Sequence, residues 1–334
     1  MKETNQAIDC DVLIVGGGLA GCLAAISAKE TLGNDSRIVI VDKSKISRSG
    51  QSTFAAGIFT FFDPEEDDVQ QWMEEIVSAG EYLNDQMWCK QLFENSYRIA
   101  RNIDSWGRSY GKTVFLRDEN GRFVRRRSRG HIYTRHAVIN SLPMMETLRR
   151  KMLDVGVNVV DRVMVTDLIG AEDGVQGALG FGYLDNQAYL FKSKATIVSA
   201  SGCGFKSVYF GHRNLTGDLQ AAAFEVGARF AGMEQFYSNT GARHFDIHGM
   251  NLYVGVGGKF LNGLGEEFMW RYNPVLGNRG RLQDLTLSFC REVKEGRGPI
   301  YLDVTAASDA DRKLCRDILP ESFKLWDRAG ISPF

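Results

Sequence analysis

The sequence contains no closely spaced pair of cysteines. Its six cysteines are scattered over 334 residues, and no two of them form a CxxC motif. Structural zinc sites and iron–sulfur clusters need clustered thiolates, so neither is expected, and we predict no metal site in this chain. The thiols are expected to be reduced and mostly buried.

The chain also lacks a long apolar run and an excess of either charge. No stretch approaches the roughly 20 apolar residues of a membrane span, and residues 1–6 are too polar to begin a signal peptide. Forty Lys and Arg residues nearly balance 41 Asp and Glu residues, which leaves a formal net charge of −1. This balance argues against a nucleic-acid partner or a membrane surface. We therefore expect a cytoplasmic protein without a membrane span.

What the sequence does contain is an alternation of short β-branched runs and helical segments. Residues 11–15 form an apolar run that meets three glycines, helical spacing follows up to residue 33, and a second strand is predicted over 37–41. This order is typical of a parallel βαβ unit. Further along the chain, helices are predicted from residue 63, over 85–106, over 138–153 and over 282–295, and a meander of strands is predicted over 157–200.

A chain of this length is expected to form two domains. From about residue 237 onward the sequence changes to short glycine-rich segments with aromatic residues. We therefore predict an α/β, Rossmann-like domain over residues 1–236 and a second domain over residues 237–334.

The glycines after the first strand fit the G-x-G-x-x-G pattern of dinucleotide-binding proteins. Gly16 would turn the chain, Gly18 would let the backbone approach a pyrophosphate, and Gly21 would let helix and strand pack closely. Asp42 ends the next strand 21 residues after Gly21, where a carboxylate can accept the ribose hydroxyls. The pattern predicts a dinucleotide site but does not separate NAD from FAD. Its residues at the helix N-terminus are Gly16, Gly18, Leu19, Ala20 and Gly21.

Residues 43–57 form a loop of small residues that separates these two cofactors. The loop resembles the one that wraps the FAD pyrophosphate in the flavoprotein subunits of succinate dehydrogenase and fumarate reductase, in L-aspartate oxidase and in the alpha subunit of adenylylsulfate reductase. Small residues suit such a loop because backbone and hydroxyl donors must approach the cofactor closely. Residues 200–204 resemble the ATGG turn of that family, and residues 216–218 resemble its TGDG segment.

The resemblance implies a fold as well as a cofactor. Residues 268–274 and 295–303 are similar to parts of the family's capping domain, the second being closest to the adenylylsulfate reductase branch. A glutathione-reductase-type FAD domain, with a parallel sheet and a β-meander, and a partial α+β capping domain are therefore expected. Beyond the glycine turn, the implied FAD contacts are Asp42, Lys43, Ser44, Arg48, Ser49, Gly50, Ser52, Ala56, Gly57, Val165, Ala200, Ser201, Gly202, Thr216 and Asp218.

Three departures from the family pattern limit the mode of flavin attachment and the reaction to be expected. Gly50 occupies the position of the histidine that binds the flavin covalently in membrane-bound succinate dehydrogenases, so non-covalent FAD is implied. Asn251 and Val254 stand where fumarate-reducing members place a Glu and an Arg as a proton route, and neither side chain relays a proton. Thr240 retains only the hydroxyl of the family's His-Pro-Thr-Gly segment. Plain fumarate or succinate chemistry is therefore in doubt.

Several candidate catalytic residues remain. Arg279 or Arg281 lies within one to three residues of the family's substrate-side acid, and a guanidinium there can bind a carboxylate; alternatively, both only solvate a turn. His131 matches a family histidine near the flavin, or it only hydrogen-bonds its surroundings. Arg243 follows Thr240 in the presumed cap. A basic cluster is a solvated loop, a docking patch for an anionic substrate or an acidic partner protein, or a nucleic-acid site: Arg122, Arg125, Arg126, Arg127 and Arg129.

The function implied by the resemblance is that of an FAD-dependent oxidoreductase. A small anionic substrate would lie between the FAD domain and the cap and exchange a hydride or two electrons with the flavin. The alternative is a non-catalytic flavin-binding subunit that passes electrons to an iron–sulfur partner subunit, in a homo- or hetero-oligomer. Family members continue beyond the cap, so a chain that stops at Phe334 is expected to be a fragment, a truncated gene product or one of two polypeptides.

Overall fold

The computed structural model describes residues 6–55, 57–127, 129–204, 212, 214–234, 241–242 and 249–334. The chain forms two compact units. The first consists of Met1–Ala55, Trp106–Lys112 and Ser141–Gln235, and the second of Ala56–Ser105, Thr113–Asn140 and Phe236–Phe334. One division therefore falls next to the predicted boundary, while two earlier stretches group with the C-terminal part. The predicted boundary itself stays a prediction.

The strands and helices follow one another along the described residues. The strands are β1 (Gln6–Val15), β2 (Ile38–Asp42), β3 (Ile58–Thr60), β4 (Arg125–Arg127), β5 (Arg135–Val138), β6 (Asn158–Asp161), β7 (Val163–Ala171), β8 (Gly174–Gly182), β9 (Ala188–Val198), β10 (Lys259–Leu261) and β11 (Tyr301–Asp303). The helices are α1 (Leu19–Leu32), α2 (Val69–Ala79), α3 (Gln86–Ser109), α4 (Ser141–Asp154), α5 (Asp218–Glu225), α6 (Met250–Gly255), α7 (Met269–Tyr272), α8 (Leu282–Lys294), α9 (Asp309–Ile318) and α10 (Pro320–Ala329), with a 3-10 helix at Gly277–Arg279. Within the described ranges, none of these helices combines the length and the apolar character that a bilayer crossing requires.

The first unit contains a six-stranded sheet in the order β6-β2-β1-β9-β8-β7. The strands β6, β2, β1 and β9 are parallel, and β8 and β7 continue as an antiparallel meander. Leu13, Ile14 and Ile40 are fully buried in this sheet, which explains the continuous apolar runs of its central strands. The predicted α/β class with a parallel sheet and a meander is confirmed.

The carboxyl ends of three parallel strands lie side by side in this sheet. Val15 at the end of β1 pairs with Val41 of β2 and with Val198 of β9. In open α/β sheets, ligands bind outside the carboxyl ends of the strands. The chain segments that leave these three strands therefore form the expected binding edge.

Two predicted elements differ from the structure. The helix expected from residue 63 begins at Val69 instead, because the Asp68 side chain accepts the Gln71 N–H as the N-cap. Asp63 holds a turn, in which its carboxylate accepts the Glu65 N–H at 3.1 Å. The helix expected from residue 138 begins at Ser141, because β5 pairs with β3 and β4 in a small antiparallel sheet.

The second unit has its own apolar clusters. Around the β3-β5-β4 sheet, Phe61 and Phe115 pack edge-to-face against each other and against Phe123. Near the C-terminal helices, Phe260 and Phe268 are buried and contact Phe289. Aromatic pairs of this kind bury large apolar areas, so the short strands of this unit are stabilised mainly by side-chain packing.

Candidate functional site

The glycine turn after β1 is built as the G-x-G-x-x-G spacing requires. Gly16 has φ of +112°, a conformation that favours glycine, and its N–H donates to Val41 O at 2.8 Å. A Cβ on Gly21 would lie 1.9 Å from Gly16 O, so only glycine lets α1 approach β1 this closely. The N–H of Leu19, the first residue of α1, donates to Ser52 Oγ at 3.0 Å. The loop after β2 thus reaches the N-terminus of α1.

Asp42 at the end of β2 binds two backbone amides. Its Oδ2 accepts the Gly17 N–H at 2.7 Å, and its Oδ1 accepts the Ser44 N–H at 2.6 Å. Burial raises the pKa of this carboxyl group, against the lowering effect of the two N–H donors. Asp42 therefore joins the glycine turn to the loop after β2, and its remaining lone pairs are those that a ribose hydroxyl would need.

Polar side chains connect the loops after β2 and β9. Lys43 Nζ donates to Thr216 Oγ1 at 2.8 Å and lies 3.4 Å from Asp218 Oδ2. The Ser201 hydroxyl donates to Gln51 Oε1 at 2.7 Å. These contacts bring segments more than 140 residues apart in sequence to the same edge of the sheet.

A cleft opens at this edge, and most of the residues predicted to bind the cofactor line it. The predicted residues in its wall are Gly16, Gly18, Asp42, Lys43, Ser44, Ser49, Gly50, Ser52, Val165, Ala200, Ser201, Thr216 and Asp218. Sequence reasoning missed Gln51, Asn214 and Gln220, which also line the cleft. Gln51 and Asn214 lie in loops and Gln220 lies in the first turn of α5. None of them has a distinctive spacing, so only their adjacency to the recognised motifs could have indicated them.

Some predicted cofactor residues lie elsewhere. Leu19, Ala20 and Gly21 form the first turn of α1 and do not belong to the cleft wall, and neither does the exposed Gly202. Ala56 lies outside the described residues.

Arg48 and Gly57 are also absent from the cleft wall. The Arg48 guanidinium forms an ion pair with Glu146 of α4 at 2.7 Å. Gly57 belongs to the second unit, where a Cβ would lie 2.0 Å from Ile318 Cγ2. The first residue therefore joins its loop to a helix, and the second permits close packing on α9.

The glycines of the turn differ in the space around them. A Cβ on Gly16 would lie 2.5 Å from Ser199 O, and one on Gly17 would lie 2.3 Å from Ile46 Cγ1. A Cβ on Gly18 would contact only Ser52 Oγ, at 3.4 Å. At positions 16 and 17, a larger residue would collide with neighbouring atoms of the chain. At position 18, glycine leaves free space at the N-terminus of α1. Backbone amides and the helix dipole favour an anion there.

A second group of predicted residues comes together in the second unit. Gly130, with φ of +73°, donates its N–H to Arg279 O at 2.5 Å. A Cβ on Gly130 would lie 3.0 Å from Arg281 Cγ. The segment carrying His131 therefore packs directly against the segment that carries both candidate arginines.

The residues that follow His131 are held by Glu75 of α2. The buried Glu75 carboxylate accepts the N–H groups of Ile132, Tyr133 and Thr134, the last at 2.7 Å, and lies 3.5 Å from His131 Nδ1. Burial alone would raise the pKa of Glu75, but His131, Thr134 and the backbone donors outweigh it and hold the pKa well below its usual range. Glu75 is thus an anion in contact with this segment.

The two candidate arginines have different surroundings. Arg279 is exposed, and its Nη2 donates to Arg127 O at 3.2 Å. Arg281 is half-buried, and its Nη2 lies 3.5 Å from Ser78 Oγ of α2. Arg281 is therefore the better placed of the two to hold a ligand away from bulk water.

Other charged groups adjoin this region. Arg129 Nε donates to Asn251 Oδ1 at 2.5 Å. His136 is buried, and burial together with the neighbouring His131 and Arg279 lowers the pKa of His136 to about 4. With this lowered pKa, His136 is neutral near pH 7, so the positive charge of the region comes from Arg129, Arg279 and Arg281. These three guanidinium groups favour an anionic ligand.

The basic cluster is not uniformly a solvated loop. The Arg125 side chain is only 3% exposed, forms an ion pair with Asp67, and lies over the rings of Phe61 and Trp72. The solvated-loop interpretation is therefore wrong for Arg125. Thr240 and Arg243 lie outside the described residues, so their predicted roles stay predictions.

Comparisons with known proteins give consistent results. Residues 11–330 match the FAD binding domain family. One subunit of the fumarate reductase (CoM/CoB) of Methanothermobacter marburgensis is 29% identical over 325 residues, covering 91% of this chain and 57% of that protein. An L-aspartate oxidase of Clostridium acetobutylicum is 28% identical over 322 residues, covering 91% of this chain and 68% of that protein.

Solved structures share the fold. E. coli quinol fumarate reductase superposes with a TM-score of 0.85 at 21% identity, over 98% of this chain and 59% of that chain. Adenylylsulfate reductase of Archaeoglobus fulgidus superposes with a TM-score of 0.69 at 18% identity, over 99% of this chain and 57% of that chain. The chain thus spans a little more than half the length of several proteins that it matches.

Proposed function

This chain belongs to the FAD binding domain family, and from that premise we propose that it is an FAD-dependent oxidoreductase that acts on a small anionic substrate. The predicted resemblance to the fumarate reductase, succinate dehydrogenase and L-aspartate oxidase flavoproteins is confirmed, and so is FAD as the cofactor. For adenylylsulfate reductase, the likeness of the fold is confirmed. The observation that supports the proposal best is the cleft where the segments after β1, β2 and β9 meet.

Different residues of the cleft would contact different parts of FAD. The backbone around Gly18 and the N-terminus of α1 would bind the pyrophosphate. Asp42 would accept the ribose hydroxyls with its remaining lone pairs. The small residues Ser49, Gly50 and Ser52 line the same cleft and would follow the cofactor closely. When bound, FAD supplies the hydride or two-electron chemistry, and the chain supplies position and charge.

Non-covalent binding is supported by Gly50. This residue lines the cleft with φ of +83°, and no atom lies within 4 Å of a Cβ placed there. Glycine has no side chain that can bond to the flavin at this position.

The anionic substrate is supported by the cations of the second unit. Arg281 is half-buried beside the segment of Gly130 and His131, so it would bind a carboxylate or a similar oxyanion with two parallel hydrogen bonds. His131 would add a donor or a proton-transfer group. Arg129, through its neighbour Asn251, lies next to these groups and would contribute charge rather than a proton route.

A second candidate function is favoured by one observation. Asn251 and Val254 lie on α6, the Asn251 amide accepts from Arg129, and Val254 is 5% exposed in an apolar cluster. Neither group relays a proton. A flavin-binding subunit that exchanges electrons with an iron–sulfur partner would need no such relay, and the M. marburgensis relative is by its name one subunit of a larger fumarate reductase.

Spectroscopy of the purified protein tests the proposal. A yellow protein whose flavin is released entirely by acid is expected, and its reduced flavin should reoxidise when one of a series of small anionic acceptors, including fumarate, is added. A colourless protein that binds NADH tightly would overturn the proposal. Reoxidation by an iron–sulfur protein, but by no small acceptor, would favour the second function.

A further inference from the structure

Glu75 lies at the centre of the contacts that fix the segment from Arg129 to Thr134. It sits on α2, about one turn before Ser78, and its side chain points to the protein interior with 9% of the residue exposed. Its two carboxylate oxygens accept three consecutive backbone N–H groups, those of Ile132, Tyr133 and Thr134. Three amides converging on one carboxylate form a strong, charge-assisted arrangement.

The same segment is held from its other side by the arginine loop. Gly130 donates its N–H to Arg279 O, and its α-carbon faces the side chain of Arg281 so closely that a Cβ would lie 3.0 Å from Arg281 Cγ. His131 stands between these two attachments, with its Nδ1 3.5 Å from Glu75 Oε2. The backbone on both sides of His131 is therefore fixed, and its ring faces a carboxylate.

The helix that carries Glu75 also contacts Arg281. Ser78 Oγ lies 3.5 Å from Arg281 Nη2, and residues three apart on a helix share one face. One face of α2 thus presents a carboxylate to the His131 segment and a hydroxyl to the Arg281 guanidinium. This common support sets the relative position of the two groups that the proposed function assigns to the substrate.

We infer that Glu75 is a positioning residue of the anion site, which holds His131 and the segment 129–134 against Arg281 and acts on the substrate only through them. The inference rests on the proposed function for the role of the substrate. The placement of the segment by Glu75 does not depend on that function and can be measured separately.

Replacing Glu75 with Gln tests this role. A Glu75→Gln side chain keeps its size, but it offers one carbonyl oxygen and turns an NH₂ group toward N–H donors, so it cannot accept all three amides. Glu74→Gln is the matched control. Glu74 is the preceding residue on α2, it is exposed, and its Oε1 accepts from Gln70 Nε2 of the same helix at 3.1 Å.

Hydrogen exchange tests the placement without any substrate. In the FAD-loaded protein, peptides covering residues 129–134 should exchange at least about tenfold faster in Glu75→Gln than in Glu74→Gln. Equal exchange rates in the two variants would overturn the inference, whatever the protein binds. Should Glu75→Gln fail to accumulate as folded protein, Glu75→Asp, which keeps the charge but withdraws it by one methylene, replaces it in the same comparison.

Anion binding tests the functional part. With malonate as the probe and isothermal titration calorimetry of the FAD-loaded protein as the readout, Glu75→Gln should raise the Kd at least about tenfold, while Glu74→Gln leaves it unchanged. Faster exchange with an unchanged malonate Kd would overturn the link between Glu75 and the anion site. If the wild-type protein binds no small anion, the proposed function fails, and the role of Glu75 in placing the segment is still decided by exchange.

Discussion

The carboxylate of Glu292 accepts hydrogen bonds from both Nε and Nη2 of Arg297, each at 2.7 Å, although the Glu292 side chain is entirely buried. Tyr272 and Asn262 donate to the same carboxylate at 2.6 and 2.9 Å. The bonds from Arg297 in particular lower the pKa of Glu292 to about 2. A buried carboxylate is stable only with such partners. Glu292 thereby links α8 to α7 and to the segments next to β10 and β11.

Replacing this carboxylate should destabilise the second unit strongly. Glu292→Gln removes the charge opposite Arg297 and is expected to lower the free energy of unfolding by about 3 kcal/mol, as when one partner of a buried ion pair is lost. Urea denaturation, followed by far-UV circular dichroism, measures the difference.

Glu295→Gln is the control for that experiment. Glu295 also contacts Arg297, at 2.5 Å, but its side chain is 56% exposed, so its loss should cost less than about 1 kcal/mol. Equal destabilisation by both variants would show that burial of Glu292 is not what makes its ion pair important.

Gly18→Ala should weaken FAD binding without unfolding the chain. A Cβ at this position contacts only Ser52 Oγ, at 3.4 Å, but it occupies the space where the backbone must approach a pyrophosphate. The apparent Kd for FAD is expected to rise at least about tenfold, equivalent to about 1.4 kcal/mol. Fluorescence titration of the apoprotein with FAD provides the measurement.

Gly255→Ala serves as the matched glycine variant. Gly255 lies in α6 with no atom within 4 Å of its Cβ position, so alanine should stabilise the protein by about 0.5–1 kcal/mol. FAD affinity should not change. If Gly18→Ala retained wild-type FAD affinity, the pyrophosphate would have to lie elsewhere.

The predictable part of the fold and site was local in sequence. The turn of Gly16, Gly18 and Gly21 could be predicted because the spacing of its glycines lies within one βαβ unit, where Gly16 has a positive φ and a Cβ on Gly21 would meet the Gly16 carbonyl oxygen. Asp42 could be predicted for the same reason, since it ends the adjacent strand. Even there, its two hydrogen bonds to backbone amides were not expected.

The unpredicted part depends on contacts between distant residues. Glu75 binds amides 57 to 59 residues away, and a glutamate on an amphipathic helix has no local feature that indicates such a role. The strand β4 consists of three arginines, a composition that does not suggest a strand. Its backbone pairs with β5, and the Arg125 side chain can be buried there because it pairs with Asp67 and packs on aromatic rings.

His136 should make stability depend on pH on the acidic side. Its pKa is about 6.5 when unfolded and about 4 when folded, so between these values the unfolded chain binds more protons. Stability should therefore fall as the pH decreases from about 6.5 to about 4, by up to about 1.4 kcal/mol per pH unit. In His136→Gln this contribution is absent, and urea midpoints measured across the window should fall less steeply. Parallel pH curves would contradict the assignment.

Substitution of the two candidate arginines separates their roles. Arg281→Lys keeps the charge but loses the planar pair of donors, so the malonate Kd, measured by titration calorimetry of the FAD-loaded protein, should rise by about tenfold. Arg279→Lys is the matched control, because its guanidinium is exposed and donates to the backbone of Arg127; its effect should stay below about twofold. The half-burial of Arg281 beside Gly130 is the reason for the difference. A larger loss in Arg279→Lys than in Arg281→Lys would reverse the assignment and place the anion at the exposed arginine.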